Sequence, residues 1–118
     1  MIPDRGGADG ARPRLLLIES RGRLADAEAG LRRDAAAQAR AGYSVLLFLI
    51  EDGVMLTLAG SDAALDAFQE AGGELAADRF SLAQRGLAGA RLRPGLRVME
   101  ADGLAQLLLD PEVQAVWH

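Results

Sequence analysis

Gly73-Glu74-Leu75-Ala76-Ala77-Asp78-Arg79-Phe80-Ser81-Leu82-Ala83-Gln84-Arg85-Gly86-Leu87 reads as a short strand that ends at Asp78, turns, and restarts as a helix near Ser81. A strand that hands over directly to a helix is the unit from which α/β sheets are built. In such sheets ligands and chemistry gather at the carboxyl ends of the strands, so this junction is the first place to look for a site.

The flanking chain repeats the same unit. Upstream, Arg14-Leu15-Leu16-Leu17-Ile18-Glu19-Ser20 and Ser44-Val45-Leu46-Leu47-Phe48-Leu49-Ile50 are unbroken apolar runs. Such runs mark strands buried on both faces of a parallel sheet. Between them, Arg23 to Ala41 predicts a helix with Leu24, Ala27, Leu31 and Ala35 on one face. Glu28 and Arg32 form an i,i+4 pair on the other face, and Gly42 is the expected left-handed cap. After Glu51-Asp52-Gly53, Val54 to Leu58 predicts a short helical turn. Ser61 or Asp62 then caps a helix that turns Leu65 and Phe68 inward, and Gly72-Gly73 closes it. Downstream, Arg93-Pro94-Gly95 has proline and glycine in the type II turn positions, and Arg97 to Glu100 is a fourth strand. Asp102 is positioned to cap a last helix bearing Leu104, Leu107 and Leu108, Pro111 stops it, and Val113 to Trp117 is a fifth, edge strand. Met1 to Pro13 lacks periodicity and is expected to be a disordered arm. Residues 14 to 118 are expected to form one three-layer α/β/α domain with a mainly parallel five-stranded sheet.

Composition removes many chemistries. At 118 residues, half of them hydrophobic, the chain can bury a real core. It has no cysteine, which rules out thiolate catalysis and cysteine-ligated metals. Its single histidine is the last residue, His118, so no histidine-centred triad or metal cluster is expected. All thirteen basic residues are arginine, so lysine Schiff-base chemistry is absent too. A net charge of −4 argues against a nucleic-acid surface. No apolar run approaches the roughly 20 residues needed to span a bilayer. No secretory signal opens the chain, and a cytoplasmic location is the expectation. No metal or other cofactor is expected.

Two phrases resemble the DsrE/DsrF-like family, which includes the TusB, TusC and TusD sulfur-relay proteins. Phe48-Leu49-Ile50-Glu51-Asp52-Gly53-Val54 is similar to that family's "f-x-x-x-D-G-V" segment. Ser81-Leu82-Ala83-Gln84-Arg85-Gly86-Leu87 is similar to the "S-L-x-x-R-G-L" helix after its third strand. The resemblance spans about residues 14 to 117, including the closing "v-x-x-v-w" strand, and the TusC/DsrF-like branch looks closest. In sulfur-carrying members a cysteine ends the third strand, eight residues before the R-G glycine. Here that position is Asp78. A carboxylate cannot form a persulfide, because the step needs a sulfur nucleophile attacking another sulfur. The resemblance also implies oligomers, of this chain alone or mixed with cysteine-bearing subunits.

The candidate pocket residues are Asp52, Gly53, Asp78, Arg79 and Ser81, with no catalytic residue assigned. Arg79 and Asp78 sit where a ligand meets the sheet, and they read either as a solvated loop pair or as an anion site. Ser81 is expected to be the N-cap of its helix, with backbone N–H groups free for a phosphate, sulfate or carboxylate. Gly53 permits an unusual backbone angle or close packing, and Asp52 is placed to cap the next turn. Glu19, Ser20 and Arg21 end the first strand on the same rim, and Arg85 reads as a structural or subunit contact. Met55, Leu56 and Leu58 on a short turn suggest burial in a partner subunit. Three functions compete. The first is a non-catalytic supporting subunit of a sulfur-relay-type assembly. The second is a stand-alone small-anion module, and the third a hydrolase or lyase using Asp52 and Asp78.

Overall fold

The computed structural model describes residues 13–21, 29–60 and 62–118. The predicted arm over 1–13 lies outside them except for Pro13. So do Leu24, Ala27 and Glu28 of the predicted first helix, and Ser61.

Five strands form one sheet: β1 (Leu15–Glu19), β2 (Val45–Leu49), β3 (Glu74–Asp78), β4 (Arg97–Met99) and β5 (Gln114–Trp117). Their order is β4-β3-β2-β1-β5, and every pairing is parallel. β2 is central and wholly buried, as its unbroken apolar run predicted. The chain steps outward from β1 to β4, then returns across the sheet to place β5 on the opposite edge beside β1.

The two faces of the sheet are covered unequally. On one face Leu17, Leu47, Leu49, Leu75 and Ala77 pack with α1 (Ala29–Arg40), a 3-10 helix (Glu51–Thr57), α2 (Ala63–Glu70) and α3 (Arg79–Gln84). On the other face Leu16, Ile18, Leu46, Phe48 and Ala76 meet Leu104 and Leu107 of α4 (Ala101–Leu109), together with Met99 and Val113. The result is the expected three-layer α/β/α domain. Leu65 and Phe68 are fully buried, as predicted for α2. Gly42, Gly72 and Gly95 carry φ of 94°, 95° and 76°, the left-handed values that the predicted caps and turn require.

Several local expectations are corrected. Leu56 is not an interface residue: it is fully buried in the core, Leu58 is half-buried, and only Met55 of that group is exposed. Arg32 does not lie on a solvent face. It is 4% exposed, and its Nη1 donates to Glu19 Oε1 at 2.6 Å while its Nε stands 2.5 Å from Asp62 Oδ2. Asp102 does not cap α4. The helix starts two residues earlier than such a cap would allow, at Ala101, with Glu100 at the N-cap position and no side-chain cap bond. β4 ends at Met99 rather than Glu100.

Arg93, in the predicted turn, is a buried clamp. Its Nε donates to Leu56 O at 2.9 Å, its Nη2 to Asp62 O at 2.9 Å, and its Nη1 to Asp66 Oδ1 at 2.5 Å. One side chain thereby ties the 3-10 helix and the start of α2 to the loop before β4. Asp62 is the junction of this scaffold. Its Oδ1 caps Ala64 N–H and Leu65 N–H while its Oδ2 faces Arg32.

Candidate functional site

The carboxyl ends of β2 and β3 bring the candidate residues to one rim, and the chemistry there begins with Asp78. As N-cap of α3 it has extended backbone angles, φ −72° and ψ 122°, so its carboxylate can fold back over the first turn. Oδ2 accepts from Ser81 N–H at 2.9 Å and from the Ser81 hydroxyl at 2.6 Å. Ser81 is therefore not the cap. It is the third helical residue, buried, and its own Oγ accepts from Glu51 N–H at 2.9 Å. A relay of three groups, Glu51 N–H to Ser81 Oγ–H to Asp78 carboxylate, joins the ends of β2 and β3.

The relay has a chemical consequence. A helix N-terminus attracts anions through its unbonded N–H groups. Here the N–H group of Ser81 is already satisfied by a carboxylate from the same chain.

Asp52 is also placed differently from expectation. The 3-10 helix begins after Ile50 with no side-chain cap, so Asp52 does not cap it. Its Oδ1 instead receives Arg85 Nη2 at 2.9 Å and Nε at 3.2 Å. Arg85 also donates from Nη1 to Ser81 O at 3.5 Å, which completes a structural contact between α3 and the 3-10 helix. Gly53 is held by close packing. A Cβ built there would stand 2.2 Å from the carbonyl oxygen of Glu19. That carbonyl accepts from Ile50 N–H at 3.0 Å, and Ile50 O accepts from Gly53 N–H at 2.8 Å. The bend after β2 thus lies directly on the end of β1.

Arg79 points elsewhere. Its Nε lies 3.6 Å from Glu100 Oε1, and both side chains are mostly exposed. Together with Asp78, Phe80, Ala83, Ala101 and Asp102 they line a cleft of about 500 Å³ between α3 and α4. This lining carries three carboxylates and one guanidinium, a balance that repels anions. Among the described residues, no group of three or more acidic or histidine side chains is arranged to hold a metal ion. Among them, too, no helix is long and apolar enough to cross a membrane. The five candidates therefore divide between two places. Asp52, Gly53, Asp78 and Ser81 belong to the bonded framework joining β1, β2 and β3, while Arg79 and one edge of Asp78 face the cleft.

Sequence reasoning undervalued two groups. The sequence puts Glu19 at the end of a strand on the rim, yet it is fully buried and ion-paired with Arg32. In the sequence Arg93 reads only as part of a turn, whereas its side chain is a buried clamp. A charged residue closing an apolar strand run, as Glu19 does, was the one available signal for the first.

No family model matches the chain, and no curated protein matches it by sequence. Solved structures do. The ychN protein from E. coli superposes with a TM-score of 0.78 at 16% identity, covering 90% of this chain and 99% of its own. A protein of unknown function, MTH1491 from Methanobacterium thermoautotrophicum, gives a TM-score of 0.69 at 14% identity. It covers 88% of this chain and 96% of its own. The chain has the fold of these two proteins over nearly their whole length.

Proposed function

We propose that this chain is a cytoplasmic DsrE/DsrF-like protein, nearest the TusC/DsrF-like branch, with no persulfide chemistry of its own. It acts as a structural or supporting subunit of an oligomeric, sulfur-relay-type assembly. The observation that carries the reading is the closed relay at the end of β3. Where the resembling family carries its sulfur, this chain has a carboxylate bonded to Ser81, and Ser81 bonded to Glu51. The two resembling phrases are retained as framework, because Asp52 of the first phrase holds Arg85 of the second. A junction locked by its own side chains suits a part that supports chemistry elsewhere. The anion-module reading has less support, since the cleft beside Arg79 is acidic in balance. The acid–base reading has less as well, because Asp52 and Asp78 are engaged by separate partners, Arg85 and Ser81.

The test is the native mass of the purified protein, alone and after co-expression with a cysteine-bearing relative from the same genome. A new mixed assembly is expected. A stable homo-oligomer that ignores the relative would sink the reading.

A further inference from the structure

The sheet has two open edges, and the chain treats them differently. β4 has only three residues, and its Arg97 is held in an ion pair with Glu74 of β3. A short charged edge resists pairing with another strand. β5 forms the other edge, and Gln114-Ala115-Val116-Trp117 carries no charge, proline or glycine. All four residues are exposed, Val116 by 40% and Trp117 by 57%. Among the described residues, no further strand lies beyond β5.

β5 is an extended and anchored strand. Gln114 N–H donates to Arg14 O at 3.0 Å, His118 N–H to Ile18 O at 2.7 Å, and Ser20 N–H to His118 O at 2.9 Å. Gln114 and His118 thus turn their backbone groups toward β1. In a parallel ladder the alternate residues, Ala115 and Trp117, turn theirs away from it. Such an edge specifies the form of its occupant, because another extended backbone matches the spacing of those N–H and C=O groups.

Symmetry and charge select the occupant. A two-fold axis normal to the sheet at Ala115 sets two β5 strands antiparallel, with Ala115 opposite Ala115 and Val113 opposite Trp117. The facing Ala115 residues exchange N–H···O bonds, and each Trp117 N–H meets a Val113 carbonyl. Trp117 then covers Val113 as an aromatic–β-branched cross-strand pair. No ionisable side chain lies between Val113 and Trp117. Glu112, the acid nearest the strand, stands on opposite sides of the axis in the two copies, roughly 20 Å apart at the rise of a strand. That exceeds the Debye length of about 8 Å at physiological salt. The edge is complementary to itself.

We infer that β5 pairs antiparallel with β5 of a second copy, joining two five-stranded sheets into one continuous sheet. This goes beyond the supporting-subunit reading, which names no interface, and holds whether or not a relative joins the assembly.

The test is sedimentation of the purified protein across a range of concentrations, where a monomer–dimer equilibrium is expected. Ala115→Lys and Ala115→Glu each set like charges directly opposite one another, and each is expected to weaken dimerisation about tenfold or more. An equimolar mixture of the two variants is expected to restore the dimer, because lysine then faces glutamate. Ala115→Pro deletes an outward N–H while sparing the bonds to β1, and is expected to give a monomer with the parent's circular dichroism. A parent that stays monomeric throughout overturns the inference. So does a dimer that survives both charged variants, or a mixture no more dimeric than its parts. If the parent is monomeric and Ala115→Pro blocks capture of a cysteine-bearing relative, the edge belongs to that relative and the inference fails. Self-association is measured with no relative present, so its failure leaves the co-expression test standing, and the reverse holds.

Discussion

Arg85 grips a single oxygen of Asp52, with Nη2 at 2.9 Å and Nε at 3.2 Å from Oδ1, across 33 positions of sequence. The contact links the bend after β2 to the end of α3, and with it the two phrases that carry the family resemblance. Asp52 is 72% exposed, so solvent screens the pair. Arg85→Met is expected to cost only about 0–1 kcal/mol in chemical denaturation. A larger loss would show that Arg85 also sustains the Ser81 backbone contact.

The buried counterpart should behave in the opposite way. Arg32 stands between Glu19 and Asp62 with all three side chains almost enclosed, at 4%, 0% and 11% exposure. Removing the guanidinium leaves two carboxylates without their shared counter-charge. Arg32→Met is expected to lower stability by roughly 3–5 kcal/mol, measured by urea unfolding. A loss as small as that of Arg85→Met would mean that the triad is solvated rather than buried.

These two arginines show what the sequence could and could not convey. Strand positions were legible because β1 and β2 are unbroken apolar runs, which only a doubly covered parallel sheet accommodates. The location of Arg32 was not legible. It sits beside the apolar stripe of α1, and its spacing predicts a pair with Glu28, whereas its partners lie 13 and 30 positions away. Caps were ambiguous for a related reason. Asp78 and Ser81 are both good capping residues three positions apart, and only the backbone angles decide which one stands outside the helix. The burial of Leu56 is not legible because a short apolar turn has the same composition whether it faces a partner or the protein's own core.

Gly53 offers a sharper test of the framework. An added methyl group meets the Glu19 carbonyl oxygen at 2.2 Å and its carbonyl carbon at 3.0 Å, and backbone of a paired strand cannot swing aside as a flexible side chain would. Gly53→Ala is expected to cost ~2–4 kcal/mol. Gly89→Ala is the control, since open space surrounds that position, and its thermal midpoint should match the parent. Equal behaviour of the two variants would contradict the close approach of β1 to the bend.

Asp78→Ala removes the cap of α3 and should cost about 1–2 kcal/mol, with Asp78→Asn losing less because it keeps an acceptor. Ser81→Ala breaks the relay at its centre. Glu51 N–H then loses its acceptor and Asp78 one of its two donors, for a loss of about 1–3 kcal/mol. Combining Asp78→Ala with Ser81→Ala should cost less than the sum of the single losses, because both remove the bond between the Ser81 hydroxyl and the Asp78 carboxylate. Additive losses would show that Asp78 and Ser81 act independently.

Glu51 is where the relay is put to use. Among the described residues it is the one non-glycine with positive φ, at 51°. A left-handed backbone is sterically unfavourable for a residue with a Cβ, by roughly 1–2 kcal/mol, and least so for asparagine among branched-free polar side chains. The Ser81 hydroxyl accepts the Glu51 N–H in that conformation and holds it there. The side chain of Glu51 is exposed, so replacing it changes backbone preference more than packing. Glu51→Asn is expected to raise stability by about 0.5 kcal/mol, and Glu51→Val to lower it by about 1 kcal/mol. In a Ser81→Ala background the gain from asparagine should grow, because nothing else then holds residue 51 left-handed. An unchanged gain in that background would mean that the bend is fixed by Gly53 against Glu19 and owes nothing to the relay.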